Sequence, residues 1–330
     1  MKAVRVSKEI AEEVRKLAEK IGAKDKSRYI KTVGDFVEIP ILDGFEDQFE
    51  SFEIVEQSIA VENPRKRFSE LIGDKIPKEL HRYIPNSYKI IGDIAIIKLQ
   101  EELSSYAKEI ANAILASNPR LKSVWRDLGK EGMIRKPKLE LLAGEGSETV
   151  HVENGCFFKL DVTKTMFSLG NQHERQRVAK EADGEVVVDM FAGIGYFTIP
   201  IAKRAEKVYS IEINTDAYSY LLENIRLNRL KNVIPVLGDS MRLTPEGVAD
   251  RVVMGHIFCH DFLEVAIRAI DRRGVVHYHE STPLKVIDRP IIRVQKACRK
   301  LGKNCKILKF RKVKNYSPGV VHIVVDAFVY

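Results

Sequence analysis

The stretch Val186-Val187-Val188-Asp189-Met190-Phe191-Ala192-Gly193-Ile194-Gly195 limits the fold of this chain more than any other. A β-branched run leads into an acid and a glycine turn. Val208-Tyr209-Ser210-Ile211-Glu212 then repeats the apolar run and again ends in an acid. That order reads as strand, turn, helix, strand, which belongs to a parallel sheet with helical crossovers. The alternation predicts strands at 186–190, 207–212, 232–237, 250–255 and 274–279. It then breaks into two strand-like runs, Cys305 to Val313 and Val320 to Val329, joined at Ser317-Pro318-Gly319. Five strand–helix units closed by an antiparallel hairpin give an α/β class. The expected sheet is Rossmann-like, of the class I methyltransferase kind rather than the dehydrogenase kind.

The preceding sequence has a different rhythm and predicts a smaller α+β region. Residues 7–22 carry Ile10, Val14, Leu17 and Ile21 at helical spacing, with Ser7 placed to cap them. Strand-like segments follow near Phe36-Val37-Glu38-Ile39 and Ser51-Phe52-Glu53-Ile54. Asn63-Pro64-Arg65-Lys66-Arg67 reads as a basic loop. Residues 90–97 read as a hairpin around Gly92-Asp93, and 101–117 return to helical spacing. From 134 to 166 the runs alternate as strands separated by Gly144-Glu145-Gly146 and Asn154-Gly155.

Composition excludes several classes. In 330 residues, 45% hydrophobic and 30% charged, there is material for a sizeable core and no sign of global disorder. No apolar run approaches the ~18 residues of a membrane-spanning helix, so no membrane association is expected. The N-terminal residues lack the apolar core of a signal peptide. The four cysteines, Cys156, Cys259, Cys298 and Cys305, have no metal-site spacing; reduced thiols in the cytoplasm are expected, and no metal. A net charge of +8 permits a polyanionic partner, although a Lys- and Glu-rich surface also suits heat adaptation.

Ligands of such sheets sit beyond the carboxyl ends of the strands. Gly193 and Gly195 allow the backbone to approach a ligand closely. Glu212 is placed to accept hydrogen bonds from ribose hydroxyls, and Asp239-Ser240 to read an adenine amino group. NAD is the first competitor, but Thr198 stands where the third glycine of its fingerprint belongs. Asp189 ahead of the glycines suits the aminoacyl end of S-adenosylmethionine (SAM) instead.

Three segments carry a family resemblance: Asn154 to Asp161 (NGCFFKLD), His173-Glu174-Arg175-Gln176-Arg177, and Asp189 to Gly195. Together they resemble the archaeal and eukaryotic tRNA enzymes that act on the guanine 3′ of the anticodon. One branch methylates that guanine at its ring nitrogen. The other, in wybutosine synthesis, attaches the 3-amino-3-carboxypropyl group of SAM to a tricyclic guanine derivative. The resemblance is strongest from about residue 134 onward. The methyltransferase branch usually carries an Asn-Pro-Arg-like segment and, after the fourth strand, Asn-Leu-Pro. This chain has Ser168-Leu169-Gly170-Asn171 and Met254-Gly255-His256 there, and Val276-His277-Tyr278-His279-Glu280 downstream, all similar to the aminocarboxypropyltransferase branch.

The resemblance implies that Ser168 and Arg175 contact the methionine end of the cofactor and that Glu174 accepts the released proton; a structural salt bridge is the other reading of Glu174. His277, sharing a strand face with His279, reads as a structural histidine. Lys300, Lys303, Lys306, Lys309, Arg311, Lys312 and Lys314, with Arg135, Lys136 and Lys138, offer phosphate contacts to tRNA, or merely a solvated face. The expected division is an N-terminal α+β region (1–75), an RNA-facing domain (76–170) and a SAM-binding catalytic domain (171–330). The expected activity is tRNA aminocarboxypropyl transfer. Guanine N1 methylation is the alternative, and a non-catalytic RNA-binding protein a further one.

Overall fold

The computed structural model describes residues 1–25, 27–57, 72, 75–132 and 136–330. They fall into two units, Met1–Asp74 and Lys75–Tyr330. The basic run at 63–67 and Arg135 lie outside the described residues.

In the first unit, Val4 and Val6 are buried on either side of the half-buried Arg5, and this period of two makes a strand. β1 (Lys2–Ser7) is flanked by β3 (Phe36–Pro40) and β4 (Glu53–Glu56), with β2 (Lys31–Val33) outside β3. Helix α1 (Ala11–Lys20) lays Val14 and Ala18 against Val4, Val6, Ile39 and Ile41. The helix is shorter than its apolar spacing predicts. Ser7 does not cap it: Ser7 ends β1 opposite Phe36, and Ile10 precedes the first turn without a side-chain cap. Arg28 is buried and ties the unit together, donating to Asp25 Oδ2 (2.7 Å) and to the carbonyls of Lys2 (2.7 Å), Ile41 (2.6 Å) and Gln57 (3.1 Å).

The second unit begins with the hairpin β5 (Lys89–Ile91) and β6 (Ile94–Ile97), turned at Gly92 with φ +58°. A 3-10 turn over Glu101–Tyr106 leads into α2 (Ala107–Ser117), so the expected helix is only partly α. β7 (Ser123–Glu131) and β8 (Lys136–Gly144) complete a four-stranded sheet in the order β5-β6-β7-β8. The sequence gives no clear sign of β7, whose charged and glycine residues break alternation. β9 (Glu148–Glu153) and β10 (Cys156–Asp161) form a separate hairpin.

After α3 (Gln172–Glu181) comes the main sheet: β11 (Val186–Asp189), β12 (Lys207–Glu212), β13 (Val233–Leu237), β14 (Ala249–Met254), β15 (Ile270–Pro283), β16 (Cys305–Ser317) and β17 (Val320–Val329). Its order is β13-β12-β11-β14-β15-β17-β16, parallel through β15 and antiparallel in the closing hairpin. The intervening helices are α4 (Thr198–Ala202), α5 (Thr215–Leu227), α6 (Ser240–Leu243), α7 (Leu263–Ala269) and α8 (Arg289–Lys300). β17 reads almost continuously buried, as a strand covered on both faces must. Phe158, Leu160 and Phe167 share one apolar cluster with Ile91, Ile94, Ile199 and Tyr220. Residues on either side of position 170 are therefore packed into one core.

Candidate active site

The rim of the main sheet is built by the two acids and the glycine turn. Asp189 ends β11 and is fully buried; its Oδ2 accepts from the backbone N–H (3.1 Å) and hydroxyl (2.7 Å) of Thr198. The Thr198 hydroxyl lies 2.9 Å from that of Ser210. Thr198 thus fastens α4 to β11 and β12 at the place a dinucleotide site would leave bare. Burial pushes the Asp189 carboxyl up to about 6, against the opposing hydrogen bonds from Thr198.

Gly193 has φ +57°, and a Cβ there would lie 2.4 Å from the Tyr196 ring. Gly195, at φ +99°, would meet Ile199 at 2.7 Å. Tyr196 is held in turn by its hydroxyl, which donates to the Met166 carbonyl. Glu212 ends β12 and clasps the turn: Oε2 accepts from the Gly193 N–H (2.6 Å) and Oε1 from the Asn214 N–H (2.7 Å). Burial raises its carboxyl. Asp239 follows β13 and caps α6 by accepting from the Met241 N–H at 2.9 Å. Ser240 is buried, and its hydroxyl donates to the Met190 carbonyl. Six expected residues, Asp189, Gly193, Gly195, Glu212, Asp239 and Ser240, therefore meet along one sheet edge.

The remaining three lie around a different feature, a cavity of about 650 Å³ lined by Ser168, Asn171, Gly255, His256, Lys314 and His322 among others. Ser168 is on its wall, where Lys314 Nζ donates to Ser168 Oγ (2.9 Å) and Asn171 Oδ1 (2.8 Å). Arg175 is only 2% exposed, and its guanidinium does not stand open toward a ligand. Its Nε and Nη2 grip Glu153 (2.8 and 2.5 Å), and Nη1 donates to the Ser168 carbonyl (3.0 Å). Its geometry makes it a brace for Ser168 rather than the partner of a cofactor carboxylate. Glu174 is likewise enclosed at 4% exposure, with both oxygens accepting from guanidiniums, Oε1 from Arg177 and Oε2 from Arg177 and Arg311.

Arg177 also reaches Asp326 (2.7 Å) and Glu181 (2.9 Å). Asp326 Oδ1 lies 2.6 Å from His277 Nδ1, and Arg251 donates to His277 Nε2 at 2.6 Å. Every polar atom of that histidine is thus matched. Glu181, His277 and Asp326 bring ligand-type atoms within 4.8 Å of one another. Arg177, Arg251 and Lys309 already neutralise them, which makes the cluster an ion-pair network rather than a metal ligand set.

Sequence reasoning passed over several groups here. Ile213, just past β12, and Met241, in α6, are apolar yet 61% and 39% exposed. Their signal was available, since each follows a rim acid outside the strand. A chain of rings includes the cavity-lining His256 and Tyr316: Phe191 to His256 (5.6 Å), His256 to Phe258 (5.9 Å) and Phe258 to Tyr316 (6.1 Å).

Residues 149–308 match the TRM5/TYW2 methyltransferase domain, 68–147 the TYW2 N-terminal domain and 3–50 the tRNA methyltransferase 5 N-terminal domain. The tRNA (guanine(37)-N(1))-methyltransferase Trm5b of Pyrococcus abyssi is 41% identical over 330 residues, covering 98% of either chain. The chain belongs to the TRM5/TYW2 family. A second TRM5/TYW2 relative, the tRNA(Phe) (4-demethylwyosine(37)-C(7)) aminocarboxypropyltransferase of Methanocaldococcus jannaschii, is 45% identical over 249 residues, 73% of this chain and 96% of that one.

Two solved TRM5/TYW2 structures bear on the ligands. M. jannaschii TYW2 in complex with AdoMet superposes with TM-score 0.59 at 41% identity, over 74% of this chain and 99% of that one. The complex of aTrm5 and tRNALeu superposes with TM-score 0.72 at 31% identity, over 99% of both chains. The cofactor of this chain is SAM, and the protein is a SAM-dependent enzyme of the TRM5/TYW2 transferase family. The rim fits it. Backbone N–H groups take up part of the acceptor capacity of Glu212 and leave part for a ligand, and a side chain at Gly193 would fill the turn.

Proposed function

We propose that this protein transfers the 3-amino-3-carboxypropyl group of SAM to a ring carbon of a tricyclic guanine derivative 3′ of the tRNA anticodon, releasing methylthioadenosine. The observation that carries this reading is the end of β14. Gly255-His256-Ile257 lines the cavity there, in place of the Asn-Pro acceptors suited to a nitrogen nucleophile's hydrogens. Bound SAM supplies an activated carbon next to its sulfonium. The new bond joins the ring carbon to the methionine γ-carbon, the S–Cγ bond electrons pass to sulfur, and the ring carbon loses its proton. What the chain contributes is placement. Glu212 holds the ribose hydroxyls, Asp239 reads the adenine edge, and Ile213 and Met241 cover its faces. Arg175 fixes Ser168, and through it Lys314, beside the methionine end. Glu174, enclosed beside Arg177 and Arg311, is the candidate to take that proton. The four cysteines are free thiols, which suits a reducing, cytoplasmic setting.

A specific observation favours the second reading, guanine N1 methylation. The P. abyssi Trm5b matches 98% of the chain, whereas the M. jannaschii aminocarboxypropyltransferase matches 73%. Extent of similarity thus weighs for methylation and the β14 end for carbon alkylation. Partnership with tRNA is supported under both by the tRNA-bound relative and the +8 charge. SAM labelled separately in the methyl and carboxyl carbons separates them. Carboxyl label alone in tRNA is the expected result; methyl label alone overturns aminocarboxypropyl transfer and establishes methylation.

A further inference from the structure

Two buried histidines meet between the sheet and the cavity. His279 of β15 and His322 of β17 place Nδ1 and Nε2 respectively 3.0 Å apart. His279 is fully enclosed and His322 is 2% exposed. Burial holds both imidazoles down, to about 3, helped by His277 acting on His279 and by His279 and Lys314 acting on His322. Both are therefore neutral near pH 7, and one of the two facing nitrogens donates while the other accepts.

The second nitrogen of His279 decides which. His279 Nε2 is enclosed with no hydrogen-bond partner among the described residues. Its ring stands edge to face with Phe197, centroids 5.5 Å apart and planes at 82°. An N–H turned to an aromatic face gains a weak hydrogen bond, whereas a bare lone pair meets the negative side of the ring. The assignment that gives Nε2 this weak donor's role puts the hydrogen of His279 there and leaves Nδ1 to accept. His322 must then donate from Nε2, which leaves its Nδ1 without a hydrogen. That nitrogen has no protein partner among the described residues, and the ring lines the 650 Å³ cavity beside Ser168, Gly255 and Lys314.

We propose that His322 Nδ1 is a hydrogen-bond acceptor that reads an N–H on the edge of the acceptor heterocycle, with its polarity set by His279 and Phe197. The inference rests on the reading above that this cavity receives the tRNA base. The cavity's other side chains include the donors Lys89, Lys130 and Lys314 and the acceptors Asp127, Asn171 and Asn315, and His322 Nδ1 adds a neutral acceptor of fixed direction to them. A base presenting a lone pair at that edge would be rejected, because it would leave both acceptors unpaired.

Histidine ¹⁵N NMR of the full chain, with signals assigned through His279→Gln and His322→Gln, tests the polarity. Both rings should carry hydrogen on Nε2; a hydrogen on His322 Nδ1, or a charged ring, overturns the proposal. Kinetics test the use. In His322→Ala, kcat/KM for label from either arm of SAM entering tRNA should fall roughly 10- to 100-fold, the size of one lost buried hydrogen bond, while SAM affinity holds. His322→Gln, which keeps an acceptor oxygen, should recover part of the loss; undiminished kcat/KM in the alanine variant overturns the proposal. If the unaltered protein transfers neither label, the functional reading fails, and the tautomers alone decide the inference.

Discussion

Asp189 shows how one side chain carries both a structural and a titration consequence. Its carboxyl is raised to about 6 because it is buried, above the usual carboxylate value near 4. The folded chain then holds a proton that the unfolded chain has lost between about pH 4 and 6. Stability is greatest below that window and declines as pH rises through it, by up to about 3 kcal/mol. Asp189→Asn keeps an acceptor for Thr198 and removes the titration. Its melting temperature should decline less between pH 4 and 6 than that of the unaltered protein, in thermal denaturation across pH. Arg175 makes a different case. Arg175→Ala strands the buried Glu153 carboxylate and should cost about 3–5 kcal/mol in urea denaturation. The sequence made Asp189 legible, since a strand followed by glycines fixes where its acid must go. It concealed the Arg175 pairing, because Glu153 sits on a hairpin 22 residues upstream and only the folded core brings the two together.

Among elements, the β11–α4 turn is where backbone geometry and cofactor meet. Gly193→Ala would put a methyl group 2.4 Å from the Tyr196 ring at a left-handed φ. The expected outcome is a SAM dissociation constant at least ~10-fold weaker, at ~1–2 kcal/mol of local strain, measured by titration calorimetry with circular dichroism unchanged. An unaltered dissociation constant would show that the turn does not approach the ligand. The parallel strands were legible because each is a short apolar run closed by turn residues, and their limits agree to within a residue or so except at β15. That strand runs over Ile270–Pro283, since pairing with β17 extends it well past its apolar centre. β7 stayed hidden for the opposite reason. Its residues are mixed in polarity, and pairing with β6 and β8 makes it a strand.

At the scale of the whole molecule, the first unit has its own apolar core, formed by Val4, Val14, Ile39, Phe49 and their neighbours. The second contains the complete seven-stranded sheet. A chain beginning at Lys75 should therefore fold alone and bind SAM with the affinity of the full protein. Aggregation, or a loss of binding beyond ~10-fold, would show that the second unit needs the first. The closing hairpin has a temporal consequence. β17 lies between β15 and β16 and supplies His322 to the cavity and Asp326 to the arginine network. While the ribosome is still making residues before 320, β15 presents an open edge of unpaired backbone groups, of the kind that invites pairing with other chains. Translation must finish β17 before the nascent sheet is either safe from such pairing or able to form its substrate cavity.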